Sequence, residues 1–445
     1  MPVADRPEPL TRLTLAERIW TKRITSYSLR ELVEMLLSRM GRRRLRKGLQ
    51  FLLWPVTTRL AVLYRLTLAR RVRITAVVGS LGKTTTAQAL CAALGLSARQ
   101  KLGGNSLGGV PRAILRLRPW DARTVVEAGI DGRGQMAPLA KTVRPQVVVV
   151  TTIASEHNRS LETLETTRDE KAYMVRALPP SGVAVLNGDD PNVLWMASQT
   201  RAKIVTLGFG ESNQVRATHA ELDWPRGMRF RLHAAGCERE VMIGLYGRHM
   251  IYPALAAVAV ALEEGVSLDD ALPRLSALVP VSGRMAVKPL ASGAALICDD
   301  LKSTLETIHA ALDLLEEVPA ARKIVVLGPI SEAPGSAGPL YRALGERISR
   351  IAQRAVFVDC YREYKAGVFA AGMKRDAILD ASGCLPAVDY LRRELRGGDV
   401  VLIKGRDQQK LSRIALALEG RKVGCAVGLC RYRAMRCETC PLLEG

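Results

Sequence analysis

Short apolar runs alternate with helical patterns along most of the chain. The clearest run, residues 74–78, is apolar and β-branched, ends at Gly79, and is followed from Lys83 by an Ala- and Leu-rich helical pattern. Residues 147–150 are all valine, which is typical of a buried parallel strand. Further strand-like runs followed by helical patterns begin near Ala295, Lys323, Ala355 and Val400. This alternation predicts an α/β fold with parallel sheets.

The predicted architecture has several parts, because 445 residues exceed the roughly 250 to 300 at which a single hydrophobic core stops growing. A basic helical segment is predicted at residues 1–72, and a central parallel-sheet domain at 73–285 with an antiparallel region at 203–245. A smaller, Rossmann-like α/β domain is predicted at 286–420, followed by a cysteine-rich tail at 421–445. The cleft between the two α/β domains is the expected active site.

The turn between the first strand and its helix reads GSLGKTT and has the composition of a phosphate-binding loop. Glycines let backbone N–H groups face phosphate oxygens, the helix N-terminus attracts the same anion, and Lys83 neutralises it. The Thr84 hydroxyl is then a Mg²⁺ ligand. The loop is a shorter variant, since Val77 stands where the strict motif has a glycine, and a buried glycine-rich turn is the alternative. The residues predicted to bind ATP here are Gly79, Gly82, Lys83, Thr84 and Thr85.

Two more strands are predicted to end in polar side chains at the same edge of the sheet. Residues 124–126 form a strand that leads to Glu127, and residues 147–150 lead to His157. Because ligands bind at the carboxyl ends of parallel strands, Glu127 is a candidate Mg²⁺ ligand. A lone histidine is more often a surface residue than a ligand, so His157 is a candidate ligand only because of the other polar residues predicted beside it. Residues 103–111 are too rich in glycine for an element interior and predict a substrate-facing loop.

Taken together, these motifs resemble those of the Mur ligases, and most of all the muramoyl-tripeptide–D-alanyl-D-alanine ligases. The matching segments, in order, are GSLGKTTT, GNSLGGVP, VVEAGIDGRGQ, ETTRDEKAY, SGRM, CDDLKST and GGDVVLIKGR. Each is weak alone, but the same order and spacing over residues 73–419 are hard to obtain by chance. The resemblance implies a Mur-type central ATP-binding domain at 73–285 and a Mur-type C-terminal domain at 286–420.

The resemblance implies an ATP-dependent, ADP-forming ligase that uses Mg²⁺ and joins a carboxylate to an amine through an acyl phosphate. Its pathway would be peptidoglycan, other cell-envelope or poly-amino-acid synthesis. Lys171 matches a lysine that such ligases carry as a carbamate, which offers a metal an anionic oxygen where a free ammonium would repel it. Without the resemblance, Lys171 is an ordinary solvated helix residue. The implied metal ligands are Thr84, Glu127, His157 and Lys171, and the implied catalytic lysines are Lys83, Lys171 and Lys302.

Residues 284–304 supply the rest of the site that the resemblance implies. Asp300, Lys302 and Thr304 form a D-x-K-x-T pattern that in related ligases serves the ribose, the γ-phosphate and the substrate. Arg284 matches an arginine that reaches ATP across the cleft. An acid and a lysine two residues apart also suit an ordinary turn. The two asparagines that meet adenine in the family are absent from residues 249–253, which leaves adenine selectivity open.

The N-terminal segment carries much of the formal net charge of +22, because residues 1–73 contain 17 Lys and Arg and 5 Asp and Glu, or 17 − 5 = +12. It stands where peptidoglycan ligases have a UDP-sugar domain, so we expect a lipid-linked or polymeric acceptor at the inner face of the membrane. Basic residues at 42–47 before apolar residues at 51–56 suit an anionic membrane surface. Helices that pack on the next domain are an equal alternative. Pro55 and Arg59 interrupt the run short of the ~20 residues of a membrane span.

The cytoplasm is the expected location, because the first ten residues lack the basic start and apolar run of a signal peptide. No aromatic-rich basic strand or finger motif supports nucleic-acid binding. The nine cysteines are expected as free thiols or metal ligands rather than disulfides. Four in the tail suffice for a tetrahedral zinc site, with free thiols and an iron–sulfur cluster as the alternatives. These four are Cys425, Cys430, Cys437 and Cys440.

Two other functional classes remain open from the sequence. A nucleotide hydrolase or kinase would use the same loop, but the chain shows neither a catalytic-loop aspartate pattern nor an arginine-finger context. A catalytically altered scaffold, or an ATPase subunit that works with a partner enzyme such as a glutaminase, would keep the fold. The retained Lys83, Glu127, His157, Asp300 and Lys302 favour a working ligase. These patterns do not specify the acid, the amine or a partner subunit.

Overall fold

The computed structural model describes residues 53–154, 158–331, 337–360, 362–430 and 435–444. The helices are α1 (Trp54–Leu66), α2 (Lys83–Ala93), α3 (Gly109–Ile114), α4 (Met136–Val143), α5 (Asn158–Leu161), α6 (Leu164–Arg176), α7 (Pro191–Leu194), α8 (Ile251–Glu263), α9 (Leu268–Ser276), α10 (Leu305–Glu317), α11 (Ala337–Ile351), α12 (Arg362–Ala370), α13 (Cys384–Glu394) and α14 (Ser412–Leu418). The strands are β1 (Arg73–Val78), β2 (Lys101–Leu102), β3 (Arg123–Glu127), β4 (Val147–Val150), β5 (Val183–Asn187), β6 (Lys203–Gly208), β7 (Val215–Asp223), β8 (Gly227–Ala234), β9 (Cys237–Ile243), β10 (Ala286–Pro289), β11 (Ala295–Asp299), β12 (Arg322–Leu327), β13 (Arg354–Val358), β14 (Ile378–Ala381) and β15 (Asp399–Lys404). Two sheets with helices on their faces confirm the predicted α/β class.

The first sheet has nine strands in the order β2-β3-β1-β4-β5-β6-β7-β8-β9. Strand β1 lies between β3 and β4 and is parallel to both, with Val77 opposite Glu127 on one side and Val149 on the other. Alternate side chains of β1 enter two separate cores, because successive residues of a strand face opposite sides of the sheet. The chain crosses from one side of β1 to the other between β3 and β4. The carboxyl end of β1 is therefore the switch point at which such sheets bind ligands.

The antiparallel region predicted at residues 203–245 is shorter than expected. Strand β6 is parallel to β5, with Lys203 opposite Val183. Within this predicted region, only β7, β8 and β9 pair in antiparallel fashion. The prediction was wrong for β6 because alternating apolar and polar positions do not encode strand direction. Direction depends on the connection, and here the short helix α7 and the turn after it carry the chain back across the sheet.

The second sheet has six strands in the order β10-β11-β15-β12-β13-β14. Strand β10 is an antiparallel edge strand, and the other five are parallel. The strands predicted near Ala295, Lys323, Ala355 and Val400 correspond to β11, β12, β13 and β15. Asp299, at the end of β11, pairs with Lys404, at the end of β15. Two charged side chains are thus placed at the carboxyl edge of this sheet.

Helix α1 packs on the first domain beside α3 and α4, and Arg65 holds it there. The guanidinium is 2% exposed and donates hydrogen bonds to the carbonyls of Ala69, Val143 (3.0 Å) and Arg144 (3.1 Å). Burial, with a smaller contribution from the charge of Arg144, lowers the pKa of Arg65 to about 10. The alternative that the N-terminal segment packs on the next domain is confirmed for α1, whereas residues 1–52 lie outside the described residues. None of the helices that are described has the length and apolar character to cross a bilayer.

The cysteine-rich tail lies against α14 and is held by Arg413. This guanidinium is 2% exposed and donates to the carbonyls of Cys425 and Val427, both at 2.7 Å, and of Gln409 at 2.9 Å. All nine cysteines are free thiols. Within the described ranges, no group of three or more His, Cys, Asp or Glu residues is arranged to hold a metal ion. The Arg413 guanidinium lies 3.4 Å from the Cys425 sulfur, and a metal at the four tail cysteines stays a prediction.

Candidate active site

The predicted phosphate loop lies at the carboxyl end of β1, and two of its glycines are required by its geometry. Gly79 has φ +137°, and a Cβ there would lie 2.0 Å from the Thr151 hydroxyl oxygen. Gly82 has φ +81° and is the N-cap of α2. Thr151 donates to the Leu81 carbonyl at 2.6 Å and so ties the loop to the end of β4. A side chain at either glycine would displace the backbone from this turn.

Lys83 is buried at the start of α2 and lies against its own loop. Its ammonium donates to the carbonyls of Gly79 and Ser80, both at 2.7 Å. Burial lowers the pKa of Lys83 to about 8, with Arg284 acting in the same direction and Glu127 opposing it. The Lys83 ammonium is therefore a stronger acid than the ammonium of a surface lysine. It lies where a phosphate bound to the loop would need a cation.

The predicted Mg²⁺ ligands Thr84 and Glu127 are brought together by adjacent elements. The Thr84 hydroxyl donates to the Glu127 carboxylate at 3.0 Å. Glu127 reaches this position because β3 and β1 are paired in register, and α2 starts directly after the loop that follows β1. A hydroxyl and a carboxylate oxygen at this distance are hard oxygen donors of the kind Mg²⁺ takes. The third predicted ligand, His157, lies outside the described residues.

Lys171 is not the solvated helix residue that the sequence alone favoured. It is 2% exposed and extends from α6 into the site, where its amine donates to the Ser80 hydroxyl at 2.8 Å. Ser80 in turn donates to the Ala154 carbonyl at 3.0 Å. Burial, reinforced by the charge of Lys83, moves the pKa of Lys171 well below its ordinary value. Burial at this position therefore favours the neutral amine over the ammonium form.

The second domain contributes charged groups that are as deeply buried. Asp300 is 4% exposed and accepts a hydrogen bond from the Ser412 backbone N–H at 2.8 Å, while burial raises its pKa. Burial, together with the nearby ammonium groups of Lys83 and Lys404, lowers the pKa of Lys302 to about 7. The effect of Lys83 on Lys302 places the loop lysine of one domain close to the D-x-K-x-T lysine of the other. Thr304 is the N-cap of α10.

Arg284 lies in the linker between the two sheets, and it is buried. Burial lowers its pKa, which the carboxylates of Glu127 and Asp299 partly restore. Within the described residues, its Nε atom has no hydrogen-bond partner. An unpaired guanidinium nitrogen beside a phosphate loop is a donor available to an anionic ligand. Of the four residues predicted at the interdomain cleft, Arg284 and Lys302 line it, whereas Asp300 and Thr304 do not. Their roles towards ATP stay predictions.

A cleft of about 520 Å³ separates the two domains and is lined by both. Gly82 and Thr85 line it from the phosphate loop, and Arg284, Lys302 and Lys404 line it from the linker and the second domain. A cavity of this size accommodates a nucleotide-sized ligand. None of the four tail cysteines lines it.

At the far end of the cleft, the polar groups are already paired with one another. The Tyr252 hydroxyl, between Met250 and Pro253 at the positions of the family's two asparagines, donates to Asp189 at 2.8 Å. Asp189 also accepts from the backbone N–H groups of Phe209 (2.6 Å) and Gly210 (3.0 Å) and from the Asn213 amide (2.8 Å). These contacts occupy both carboxylate oxygens. The Tyr252 proton is thus not available to a bound base in this arrangement.

Three functional residues were missed by sequence reasoning: Ser80, Asp299 and Lys404. Lys404 is 1% exposed and donates to the Asp299 carboxylate (2.6 Å) and to the Lys302 carbonyl (2.7 Å), so it fixes the turn that carries Lys302. A lysine at the end of a buried valine-rich strand was the available signal for Lys404. Ser80 had no such signal, because its partner Lys171 is 91 residues away in the sequence.

A phosphate loop on one α/β domain that faces buried lysines of a second across a cleft defines a two-domain nucleotide-dependent enzyme. Comparison with known families makes this specific. Residues 77–261 match the Mur ligase middle domain, and residues 283–406 match the Mur ligase glutamate ligase domain. The chain is 32% identical over 370 residues to the UDP-N-acetylmuramoyl-tripeptide–D-alanyl-D-alanine ligase of Mycobacterium tuberculosis, covering 78% of this chain and 72% of that enzyme. The chain therefore belongs to the Mur ligase family.

Other relatives agree with this assignment. The Escherichia coli enzyme of the same name is 28% identical over 316 residues, which cover 70% of this chain and 67% of the relative. Among solved structures, MurF from Acinetobacter baumannii matches with a TM-score of 0.72 and 24% identity over 83% of this chain and 81% of that one. Folylpolyglutamate synthase from Mycobacterium tuberculosis shares the fold, with a TM-score of 0.60 and 17% identity over 83% and 95% of the two chains. The predicted family, and with it an ATP-dependent, ADP-forming amide ligase, is confirmed.

Proposed function

We propose that this ligase joins a carboxylate-bearing acceptor to an amine or amino acid, with ATP bound in the interdomain cleft. The observation that carries the proposal is that Arg284 and Lys302 line the cleft and that the charge of Lys83 interacts with both, each of the three being buried with a lowered pKa. Three buried cations close to one another repel, and this repulsion costs free energy that a bound anion removes. A nucleoside triphosphate supplies that anion.

The reaction fits these groups because it needs charge neutralisation rather than a protein nucleophile. An acceptor carboxylate oxygen attacks the γ-phosphorus, and the bond from that phosphorus to the bridging oxygen breaks to release ADP. The amine nitrogen then attacks the acyl carbon, the carbon–oxygen bond to phosphate breaks, and the amine proton leaves to solvent. Lys83 and Lys302 stabilise negative charge on the transferred phosphoryl group, and Arg284 donates to it from the linker.

Thr84, Glu127 and Lys171 are the described residues that would hold Mg²⁺, and their oxygen chemistry fits that ion once Lys171 is modified. Mg²⁺ would supply a further positive charge to the phosphate oxygens. Lys171 suits carbamate formation, because its lowered pKa favours the neutral amine, the form that attacks CO₂, loses a proton and leaves an anionic carbamate on the nitrogen. The buried ammonium of Lys83 nearby stabilises that anion.

The acceptor is proposed to be lipid-linked or polymeric and to be met in the cytoplasm at the inner face of the membrane. The named relatives act on UDP-N-acetylmuramoyl-tripeptide, whereas a basic segment with an exposed apolar helix side directly precedes the family match at residue 77 here. A soluble nucleotide-linked peptide is the competing acceptor. A partner subunit that supplies the amine remains part of the proposal only if free amines fail as substrates.

Phosphate release from ATP tests this function. Purified protein is given a panel of amino acids and ammonia, combined with lipid-linked, polymeric and UDP-linked carboxylate acceptors. We expect phosphate release that requires both an acceptor and an amine, with one amide product per phosphate by mass spectrometry. Phosphate release that is independent of acceptor would instead indicate an ATPase, and turnover with a UDP-linked peptide alone would refute the lipid-linked acceptor.

A further inference from the structure

The outward side of α1 carries a row of apolar side chains that nothing in the described structure covers. Ala61 and Arg65 on the inward side are buried against the first domain. The opposite side, the α1 outer face, consists of Leu53 (45% exposed), Val56 (52%), Leu60 (51%), Leu63 (59%) and Leu66 (44%). Apolar residues on a solvent-facing helix side at this density are a sign of an interaction surface.

This apolar surface extends past the end of α1. Leu68 is 65% exposed and Trp120 is 76% exposed. They are neighbours in space, because the Tyr64 hydroxyl donates to the Leu117 carbonyl at 2.6 Å and the Arg73 backbone N–H donates to the Ala122 carbonyl at 3.0 Å. The loop that carries Trp120 is therefore fixed beside the segment that follows α1.

The stretch of chain that forms this surface is basic and poor in acidic residues. No Asp or Glu occurs between Glu34 and Asp121, a stretch that contains 17 Lys and Arg. Asp121 itself is paired with Arg99 at 2.6 Å. The arginines exposed around the apolar residues are Arg59, Arg70, Arg71, Arg116 and Arg118.

We propose that the α1 outer face, with Leu68 and Trp120, docks on an anionic lipid bilayer. Leucines, valine and an exposed tryptophan enter the headgroup boundary, and the surrounding arginines pair with lipid phosphates. A lipid surface fits better than a protein partner, because among the described residues α1 and the segment up to Arg73 expose apolar side chains and arginines and contain no Asp or Glu. A second copy of the chain fits poorly for the same reason, since the two faces would repel each other.

Docking in this orientation brings the predicted substrate loop towards the lipid. The Trp54 indole N–H donates to the Leu107 carbonyl at 2.9 Å, so α1 directly supports the glycine-rich loop. That loop also accepts, through the Asn105 carbonyl, a hydrogen bond of 2.7 Å from the Gly129 N–H, two residues beyond Glu127. A lipid-linked carboxylate would reach the metal-binding edge by this route. Only this last step rests on the proposed function.

Co-sedimentation of the full chain with vesicles, in the absence of ATP and acceptor, tests the docking separately from catalysis. Vesicles of phosphatidylcholine alone are compared with vesicles that also contain phosphatidylglycerol. We expect salt-sensitive binding to the anionic vesicles only. Leu63→Asp should lower the partition coefficient by about tenfold or more, and Arg70→Ala with Arg71→Ala by about fivefold for each arginine removed. Val279→Asp, at a residue 66% exposed away from α1, is the matched control and should bind as the parent does.

All variants should keep the melting temperature and the acceptor-dependent phosphate release of the parent with a water-soluble acceptor. Equal pelleting of the Leu63→Asp and Val279→Asp proteins would overturn the proposal and assign any binding to residues 1–52. No binding of the parent to anionic vesicles would also overturn it. A parent that is dimeric in solution and becomes monomeric with Leu63→Asp would show that a second copy covers the face. None of these outcomes bears on the ligase reaction itself.

Discussion

Replacing Lys83 by methionine should abolish catalysis and, at the same time, change how the stability of the protein depends on pH. The catalytic part follows from the loop, because the lysine is the cation placed against the phosphate turn. Loss of one such positioned group lowers kcat by a factor of about 10² to 10³, which corresponds to about 3 to 4 kcal/mol of transition-state stabilisation. Methionine keeps the length of the side chain and its apolar stem, so the fold should persist.

The stability part follows from the pKa of Lys83, which falls from 10.5 in the unfolded chain to about 8 in the folded protein. The folded state is penalised for holding the proton, so the penalty is complete below pH 8 and vanishes above pH 10.5. A shift of this size corresponds to about 3 kcal/mol. Lys83→Met removes the penalty but also leaves two loop carbonyls without their donor, at about 1 to 3 kcal/mol in all.

The measurable quantity is the difference in unfolding free energy between the Lys83→Met variant and the parent, followed by urea titration at several pH values. We expect the variant to be of similar or higher stability at pH 7, and to lose about 3 kcal/mol relative to the parent by about pH 10.5. The other titrating groups are the same in both proteins, so their contributions to the unfolding free energy cancel in this difference. A difference that stays constant with pH would refute the buried, proton-poor environment of Lys83, and near-normal turnover would refute its role in the phosphate loop.

Three further predictions concern other parts of the molecule. Lys171→Ala should be inactive, and added short carboxylates should restore activity in part if a carbamate is the group that is lost; ¹³C-labelled CO₂ should give a carbamate signal in the parent but not in the variant. Because Met250 and Pro253 stand where the family has its two adenine-contacting asparagines, ATP should be preferred over GTP by less than about tenfold in kcat/KM, and Met250→Asn should widen the preference; a parent strongly selective for ATP would contradict this reasoning. Arg413→Met should release the tail near Cys425 to limited proteolysis while the melting of the rest changes little, and an equally protected tail would refute the anchoring role.

The local parts of the fold and site could be predicted because neighbouring residues encode them. The order of strand, glycine turn and helix around Lys83 is fixed within a few residues, and both glycines adopt the conformations that the turn requires. The contacts that were missed depend on distant residues. Nothing near Lys171 in the sequence shows that its amine reaches Ser80, and nothing near β6 fixes its direction. The resemblance to the Mur ligases supplied the role of Lys171, and only the structure showed its burial.

The tail shows the opposite limitation. Four cysteines within a short basic segment predict a metal site by their spacing. The spacing does not show which other side chains lie beside each sulfur. The structure places the Arg413 guanidinium beside Cys425 and supports the tail through backbone carbonyls. Arg413 is far enough from the tail in sequence that no local pattern links them. The cysteine spacing therefore predicts a metal site without showing that a buried arginine of α14 anchors the same segment.

The position of Arg65 decides where an N-terminal deletion of this protein can begin. Removal of residues 1–72 would look natural from the family match, which starts at residue 77. It would strip the donor from the buried carbonyls of Val143 and Arg144, at about 1 to 3 kcal/mol for each, and uncover the apolar sides of α3 and α4. A shortened protein made for crystallisation or domain exchange should therefore keep every residue from Leu53 onwards.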